Sequence, residues 1–142
     1  LAAGRPQAEL RLLPGPQLGG FDDASIKALV CAGFAVSADS DRLGLRLAGP
    51  ALSHTGGGLA SQGVLPGAIQ VPPHGQPIIL GWDGPVTGGY PVIAGVIAAD
   101  LPRLGQARPG DVLKFCFVSP EKARAAWLEQ RACLEGAIIW AD

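Results

Sequence analysis

The sequence predicts a mainly β protein, an antiparallel β-barrel that is closed or nearly closed and carries flanking helices. Short apolar runs of strand length alternate with turn residues along most of the chain, most clearly over residues 67–101. The 142 residues include 21 Gly and 13 Pro without a low-complexity repeat, which favours many turns and short strands. The middle of the chain has no helix-length segment between strands, so parallel βαβ winding is disfavoured. Closure of the sheet would remove its exposed edges.

The first half of the chain predicts three strands and one helix. The strands are expected over residues 9–13, 34–36 and 43–47. Between the first two strands, Asp22 or Asp23 can cap a helix, because a short acidic side chain accepts hydrogen bonds from the free N–H groups of the first turn. The helix is expected to run to about Cys31, with Gly33 as its stop.

The second half predicts three further strands and a final helix. The strands are expected over residues 77–80, 92–97 and 111–118. Ser119 and Pro120 predict the start of the helix, because Ser is a good cap and Pro suits the first helical position. The helix is expected to end near Gly136, and its buried side to hold Ala123, Trp127 and Leu134. No domain boundary or repeat is visible, so residues 1–142 are predicted to form a single domain.

Composition disfavours several classes of function. A net charge of −1 gives no basic stripe for nucleic acid, and no apolar stretch approaches the ~20 residues of a membrane span. The odd set Cys31, Cys116 and Cys133 lacks CxxC spacing, so all three are expected to be small buried hydrophobes. No disulfide framework is implied, and a reducing cytoplasm is the default location. Because Leu1 is not an initiator Met, the chain is expected to begin inside a longer gene product or after processing.

Polar side chains with reactive potential lie at the joints between the predicted strands. They are Gln70, His74, Gln76, Asp83, Thr87 and Tyr90. Asp83 can act as a general base or orient an amide N–H, while Thr87 and Tyr90 can hydrogen-bond a carbonyl oxygen. Gly88 and Gly89 would let the backbone approach a ligand closely. An Asx turn at Asp83, with Tyr90 as an ordinary strand residue, explains the pattern equally well, and the residues alone leave both interpretations open.

Other candidate sites are weaker. Arg42 follows Asp41, and the two form either a surface ion pair or an anion clamp. His54 and His74 lie on different loops without CxxC or HExxH spacing, so no metal site is predicted. Neither glycine-rich segment matches GxGxxG or a Walker loop, which argues against a nucleotide bound through those motifs alone.

Five segments together resemble one protein family. They are LLPGPQ at residues 12–17, SDRLGLRL at 40–47, GAIQVPPHGQPI at 67–78, TGGYP at 87–91 and PGD at 109–111. The chain resembles the biotin-dependent carboxyltransferase family, which includes the C subunit of bacterial 5-oxoprolinase, also called allophanate hydrolase subunit 2. The carboxyltransferase part of urea carboxylase and the antagonist of a sporulation-kinase inhibitor are relatives.

The resemblance runs from about Arg11 to Ser119 and covers only the C-terminal part of a longer family subunit. It implies a cyclophilin-like β-barrel with helices, and an N-terminal part that is removed or lies on another chain. The family motif DRQTTGGYP appears here as DGPVTGGYP at residues 83–91. The family's Arg and Gln are thus Gly84 and Pro85, which puts substrate anchoring in doubt, because Gly cannot replace a charged bidentate contact.

The resemblance implies ATP-dependent opening of 5-oxoproline to glutamate together with a partner subunit. In that scheme the lactam oxygen is phosphorylated and water then opens the C–N bond. Asp83 would orient substrate or water, and Arg42 would contact an anion. The side chains that would hold polar substrate atoms are Thr87, Tyr90 and Gln70. The remaining substrate-binding candidates are Gln76, Gly88 and Gly89. ATP would be a co-substrate of the assembled complex.

Two alternatives accompany this interpretation. One is carboxyl transfer from carboxybiotin to urea or a similar amide. Met is absent, and with it any Met-Lys-Met attachment sequence, so biotin would have to come from another domain. The other is a non-catalytic module that binds a kinase-inhibitor homologue, favoured by the changed stretch 84–86. The expected partners are the N-terminal part of the subunit, a kinase-inhibitor-like subunit and a small amide.

Two further expectations concern surfaces. Gln70, Asp83, Thr87 and Tyr90 are predicted to line one shared concavity, because antiparallel pairing brings turn ends together. With 48% hydrophobic and only 16% charged residues, the chain is also expected to leave apolar surface for a neighbouring partner.

Overall fold

The computed structural model describes residues 8–139, and the side chains of residues 8–137. The strands are β1 (Ala8–Pro14), β2 (Phe34–Val36), β3 (Gly44–Ala48), β4 (Gln62–Gly63), β5 (Ala68–Gln70), β6 (Ile78–Leu80), β7 (Thr87–Gly88), β8 (Val92–Val96) and β9 (Val112–Phe117). The helices are α1 (Asp23–Cys31), α2 (Leu101–Gly105) and α3 (Pro120–Ile139), with short 3₁₀ turns at Leu18–Gly20 and Ala98–Asp100.

Seven of the strands close into a barrel in the order β1-β8-β5-β6-β3-β2-β9. Every neighbouring pair is antiparallel except β1 and β9, which run parallel from the pair Ala8 and Leu113 to the pair Leu12 and Phe117. A parallel pair needs a long connection, and nearly the whole barrel lies between these two strands in sequence. Helices hold fewer than a third of the described residues, so the predicted mainly β barrel with flanking helices is confirmed.

Alternating residues of these strands fill the barrel with a dry core. Leu10 and Leu12 of β1 are 0% exposed, and Leu113 and Phe115 of β9 are 2% exposed. The ring of Phe115 lies 5.9 Å from the ring of Phe34, centroid to centroid. Burying a side chain of this size stabilises the fold by about 1.5–3 kcal/mol, so this inward row is the main support of the parallel closure.

The six strands predicted for the barrel are confirmed to within one residue at either end, whereas its seventh strand, β5, was not predicted. The small sheet formed by β4 and β7 lies outside the barrel and was not predicted. Each of its strands has two residues, which is too short to show the alternation that identifies a strand.

Helix α1 begins as predicted. The Ser25 N–H donates to the Asp22 carboxylate over 2.7 Å, which makes Asp22 the cap, and the helix ends at Cys31. Gly33 does not adopt the left-handed conformation of a glycine stop, because Ala32 already leaves the helix as extended backbone. Gly33 instead permits close packing, since a Cβ there would lie 2.7 Å from the Val112 side chain.

Helix α3 begins at Pro120 as predicted, with the Lys122 N–H donating to the Ser119 hydroxyl over 3.2 Å. It runs on to Ile139, beyond the predicted end at Gly136. The prediction of its buried side is correct for Ala123 but wrong for Trp127 and Leu134, which are 41% and 61% exposed.

Small residues explain why this buried side differs from the prediction. Ala123 and Ala126 pack with Ile97 and Ala99, so the helix sits close to the 98–100 turn. One turn further along, the Gln130 side-chain amide donates to the Ala99 carbonyl over 2.8 Å. The helix therefore contacts the barrel through an alanine stripe rather than through its large apolar side chains.

A buried carboxylate joins the 98–100 turn to β1. Asp100 is 1% exposed and accepts hydrogen bonds from Arg11 N, Nε and Nη2 over 2.9, 3.0 and 2.6 Å. Burial opposes the charged carboxylate, but these bonds and the guanidinium charge outweigh it, and the pKa of Asp100 lies below its usual value. Arg11 is thereby fixed between the barrel and the turn.

The expectation of three buried cysteines is wrong. Cys31 and Cys133 are exposed on helix surfaces and Cys116 is half-buried on β9, all three as free thiols. The pKa of the Cys116 thiol is raised, chiefly by burial and secondly by a hydrogen bond with Glu9. A raised pKa disfavours the reactive thiolate. None of the helices within residues 8–139 combines the length and the apolar character that a membrane crossing demands.

Candidate functional site

The segment between β6 and β8 contributes to two different clefts. The first, here called the Arg42 cleft, has a volume of about 380 Å³ and includes Arg42, Trp82 and Asp83. The second, the histidine cleft, has a volume of about 520 Å³ and includes His54, His74, Gly89 and Tyr90. Both volumes suit a small molecule.

The Arg42 cleft has charged side chains at its mouth and an apolar floor. Arg42 Nε lies 4.0 Å from the Asp83 carboxylate, and the two side chains are 85% and 65% exposed. Such an exposed pair is weak, so the guanidinium stays available to an anion. Of the predicted alternatives, the ion pair forms with Asp83 rather than with Asp41, whose carboxylate accepts the N–H groups of Leu43 and Gly44 over 2.9 and 3.3 Å.

The histidine cleft brings together two histidines that the sequence placed on different loops. A backbone N–H donates to Nδ1 of each ring, from Gly56 to His54 and from Gln76 to His74, both over 3.1 Å. A neutral imidazole that accepts at Nδ1 carries its proton on Nε2. Both rings are therefore fixed in the same tautomer, a feature that spacing alone could not have revealed.

The two histidines nevertheless have different roles in the cleft. The His54 ring stands edge-on to Phe21 with the centroids 4.9 Å apart, and its Nε2 lies against Gly20, where any Cβ would overlap it. The His54 ring is thus held by packing and forms part of the cleft wall. Ser53 and His74 are exposed and Tyr90 is 45% exposed, so the Ser53 hydroxyl, the His74 Nε2–H and the phenol hydroxyl are side-chain donors that a ligand can reach.

The prediction that Gln70, Asp83, Thr87 and Tyr90 line one concavity is wrong. Asp83 lines the Arg42 cleft and Tyr90 lines the histidine cleft, while neither cleft includes Thr87 or Gln70. The cause is the pairing of β7 with β4, which carries the chain across the outside of the barrel between the two clefts. Thr87 is exposed on β7 and Gln70 is buried behind Gly88. Their roles toward a substrate stay predictions.

Gln76 has a clear structural role. Its amide donates to the Gly49 carbonyl over 3.1 Å and accepts the Gly49 N–H over 3.0 Å. Both ends of the amide are therefore engaged in joining two loops. Each end keeps one further hydrogen-bonding position, a second N–H and a second lone pair, so its contact with substrate stays a prediction.

A second pair of amides, missed by the sequence reasoning, fixes the small sheet against the barrel. Gln17 and Gln62 exchange two side-chain hydrogen bonds of 3.1 and 2.9 Å, and the Gln17 oxygen also accepts the Val92 N–H over 2.9 Å. Because Gln62 pairs with Gly88 across the small sheet, these bonds fix β7 next to the barrel. Among residues 8–137, no three His, Cys, Asp or Glu side chains are grouped so that they could hold a metal ion.

Comparison with known proteins gives a consistent set of relatives. The family model for the carboxyltransferase domain, subdomain A and B, matches residues 2–117, which includes the whole described barrel and excludes α3. The 5-oxoprolinase C subunit of Escherichia coli (strain K12) is 42% identical over 127 residues, or 89% of this chain and 41% of that protein. The urea amidolyase of Lachancea kluyveri is 30% identical over 125 residues, or 81% of this chain and 7% of that protein.

The fold comparison extends this set. The crystal structure of the Kluyveromyces lactis urea carboxylase matches with a TM-score of 0.86 and 25% identity, covering 92% of this chain and 12% of that one. The chain therefore spans less than half the length of each of these relatives.

Proposed function

The chain belongs to the carboxyltransferase domain family, subdomain A and B, and from that membership we propose that it forms the barrel part of a 5-oxoprolinase. The assembly would open 5-oxoproline, a small cyclic amide, to glutamate with consumption of ATP. The observation that carries this proposal is the 42% identity with the E. coli 5-oxoprolinase C subunit along 89% of the chain.

The chemistry proposed for the assembly is activation of an amide carbonyl. The lactam oxygen attacks the terminal phosphorus of ATP and ADP leaves. Water then adds to the activated carbon, the C–N bond breaks and phosphate is released. The reaction needs donors for the carbonyl oxygen and a group that orients water or the substrate N–H.

The two clefts offer these groups on either side of one loop. His74 Nε2–H and the Tyr90 hydroxyl are suited to a carbonyl oxygen in the histidine cleft, and the exposed Gly56–Gly58 loop adds backbone close to it. Asp83 and Arg42 are suited to water and to an anionic group in the Arg42 cleft. We assign the small amide to the histidine cleft, because its reachable side-chain groups are hydrogen-bond donors rather than an exposed ion pair.

Partners and location belong to the same proposal. The chain spans 41% of the E. coli 5-oxoprolinase relative, so the rest of such a subunit is the first partner we propose, and a kinase-inhibitor-like subunit is the second. ATP would enter as a co-substrate of the complex, and biotin, if used, would arrive on another domain. We place the assembly in the cytoplasm, where ATP is abundant.

A segment exchange tests this proposal. The chain replaces the matched segment of the E. coli 5-oxoprolinase C subunit, the hybrid is assembled with the other subunits of that enzyme, and glutamate and ADP are measured with 5-oxoproline and ATP. We expect equal amounts of both products, and less of both with Tyr90→Phe. An assembled, soluble hybrid that forms no glutamate would contradict the proposal.

A second candidate is carboxyl transfer from carboxybiotin to urea or a similar amide. The match to urea carboxylase over 92% of this chain favours it. Avidin separates the two activities, because it sequesters biotin. Transfer to urea would stop on adding avidin, whereas opening of 5-oxoproline would continue.

A third candidate is a non-catalytic binding module. The division of the predicted site between two clefts and the Gly84, Pro85 and Val86 replacements favour it. This candidate expects copurification with a kinase-inhibitor homologue and no glutamate from any assembly that contains the chain.

A further inference from the structure

Gln70 carries an unpaired donor between the barrel wall and the small sheet formed by β4 and β7. Among the described side chains, its Nε2 is the one buried nitrogen or oxygen that lacks a hydrogen-bond partner, and the residue is 5% exposed. A buried amide NH₂ without an acceptor lowers stability, and a hydrocarbon side chain of the same shape would avoid this cost. The presence of glutamine here therefore needs a reason other than folding.

The backbone sets the direction of this side chain. The pairing of β5 with β8 shifts register between Ile69 and Gln70, so that Gln70 stands opposite Val92. The extra residue is Ile93 on β8, while Gln70 keeps regular pairing with Ile78 on β6. Gln70 therefore takes the opposite face of β5 from the core residue Ile69, and its amide lies against Gly88 of β7.

The amide ends directly behind β7. Nε2 lies against Gly88, where any Cβ would overlap it. The residues that follow on both chain segments, Val71 and Gly89, line the histidine cleft. The unpaired donor therefore lies behind the backbone of Gly88, beside the residues that line that cleft.

We propose that Gln70 is the recognition donor for the carbonyl oxygen of a small amide or ureide that binds at the segment Thr87–Tyr90 and shifts Gly88 aside. This inference rests on the proposed function and assigns the recognition of its amide substrate to Gln70. An amide or urea oxygen accepts two hydrogen bonds. Such an oxygen would supply the acceptor that Gln70 Nε2 lacks in the free protein. Because the free protein has already desolvated the NH₂ group, the ligand gains the bond without that cost.

Kinetics of the assembled hybrid give the first test. Gln70→Met removes the donor and keeps the length of the side chain. We expect the KM for 5-oxoproline to rise about tenfold with little change in kcat. This is the result expected when the variant loses one neutral hydrogen bond that is made equally in the ground state and in the transition state. We also expect the unfolding temperature to stay level or to rise, because no native hydrogen bond is lost.

Gln130→Met is the matched control. It is the same substitution on α3, remote from both clefts, and it removes the bond from Gln130 to Ala99. We expect a lower unfolding temperature and an unchanged KM. A KM for Gln70→Met equal to that of the unsubstituted chain would overturn the inference.

A binding measurement on the chain alone separates this inference from the proposed function. The side-chain NH₂ resonance of Gln70, assigned by its loss in Gln70→Met, is followed by ¹⁵N NMR during titration with 5-oxoproline or millimolar urea. We expect a saturable shift with at least one probe. If that shift occurs but the hybrid makes no glutamate, the proposed function fails and the role of Gln70 stands. If neither probe moves the resonance, the role of Gln70 is refuted whatever the hybrid does.

Discussion

At the scale of single residues, two buried polar side chains of this barrel behave in opposite ways. Asp100 receives three hydrogen bonds from Arg11, so its burial is compensated. The Gln70 amide nitrogen receives no such compensation within the described residues. Asp100 therefore has a structural role, because its hydrogen bonds are satisfied within the fold. The unpaired amide of Gln70 has no such role, which fits a group that is kept for a ligand.

Asp100→Asn tests the structural member of this pair. We expect a loss of about 2–3 kcal/mol in the free energy of unfolding at pH 7, less than for a fully buried pair because Arg11 is 37% exposed. The pKa of Asp100 is lowered in the folded protein, so the carboxylate contributes fully above its unfolded pKa of about 3.9 and progressively less as pH falls below it. Denaturant unfolding at pH 7 and pH 3 should show the difference between the two proteins shrinking in acid. A difference that does not change with pH would count against this account.

Gly88→Ala tests the contact between Gly88 and Gln70. The added Cβ overlaps Gln70 Nε2, and the resulting shift of β7 or of the amide should cost about 1–2 kcal/mol. Combining it with Gln70→Ala removes the clash, so the two costs should be non-additive by about 1 kcal/mol. The measurement is guanidinium unfolding of the four proteins of this cycle. Strictly additive costs would show that the two residues do not touch.

At the scale of elements, the sequence predicted those whose signal is local. Short apolar runs between turn residues predicted six of the seven barrel strands, and Asp22 and Ser119 predicted the helix starts. The three-residue strand β5 and the two-residue strands β4 and β7 were missed, and the pairing of β4 with β7 depends on residues far apart in sequence. That pairing separates Asp83 from Tyr90, which is why the predicted single concavity failed although the flanking strands β6 and β8 were predicted correctly.

Helix α3 shows the same limit and supplies a prediction. Its contact with the barrel is made by Ala123 and Ala126, whereas the exposed Trp127 ring lies 5.6 Å from the Arg131 guanidinium on the same helix. We expect Ala123→Leu to cost about 1–3 kcal/mol by overpacking and Trp127→Ala to cost less than about 1 kcal/mol. Thermal unfolding of both variants checks the order. A larger effect of Trp127→Ala would mean that the alanine stripe is not the main contact.

At the scale of the whole molecule, closure of the barrel leaves apolar side chains exposed where three loops meet. The Gly81 N–H donates to the Leu43 carbonyl over 3.0 Å and the Val64 N–H to the Val86 carbonyl over 2.9 Å, which brings these loops together. The apolar rim that results consists of Leu43, Leu65, Trp82 and Val86, which are 50, 77, 73 and 77% exposed. Exposed apolar residues grouped in this way usually mark an interface.

The relatives indicate what would cover this rim. The chain spans 41% of the E. coli 5-oxoprolinase relative and 12% of the urea carboxylase chain, so in both proteins the matching barrel is followed or preceded by much further polypeptide. The family model matches residues 2–117, so the rim lies within the family domain and Trp127 on α3 lies beyond it. The two exposed tryptophans thus lie on different sides of that boundary.

Trp82 on the rim and Trp127 on α3 can therefore be compared as matched truncations. In the 5-oxoprolinase hybrid, Trp82→Ala should weaken assembly with the remaining subunits about tenfold or more, because a large aromatic side chain buried at an interface carries a disproportionate share of binding energy. Trp127→Ala, an equally large truncation of an exposed tryptophan on α3, should leave assembly unchanged. The measurement is the dissociation constant of the assembly by analytical ultracentrifugation or surface plasmon resonance, with both variants first shown to unfold at the temperature of the unsubstituted chain. Equal effects of the two substitutions would mean that the apolar rim is ordinary surface and that the neighbour docks elsewhere.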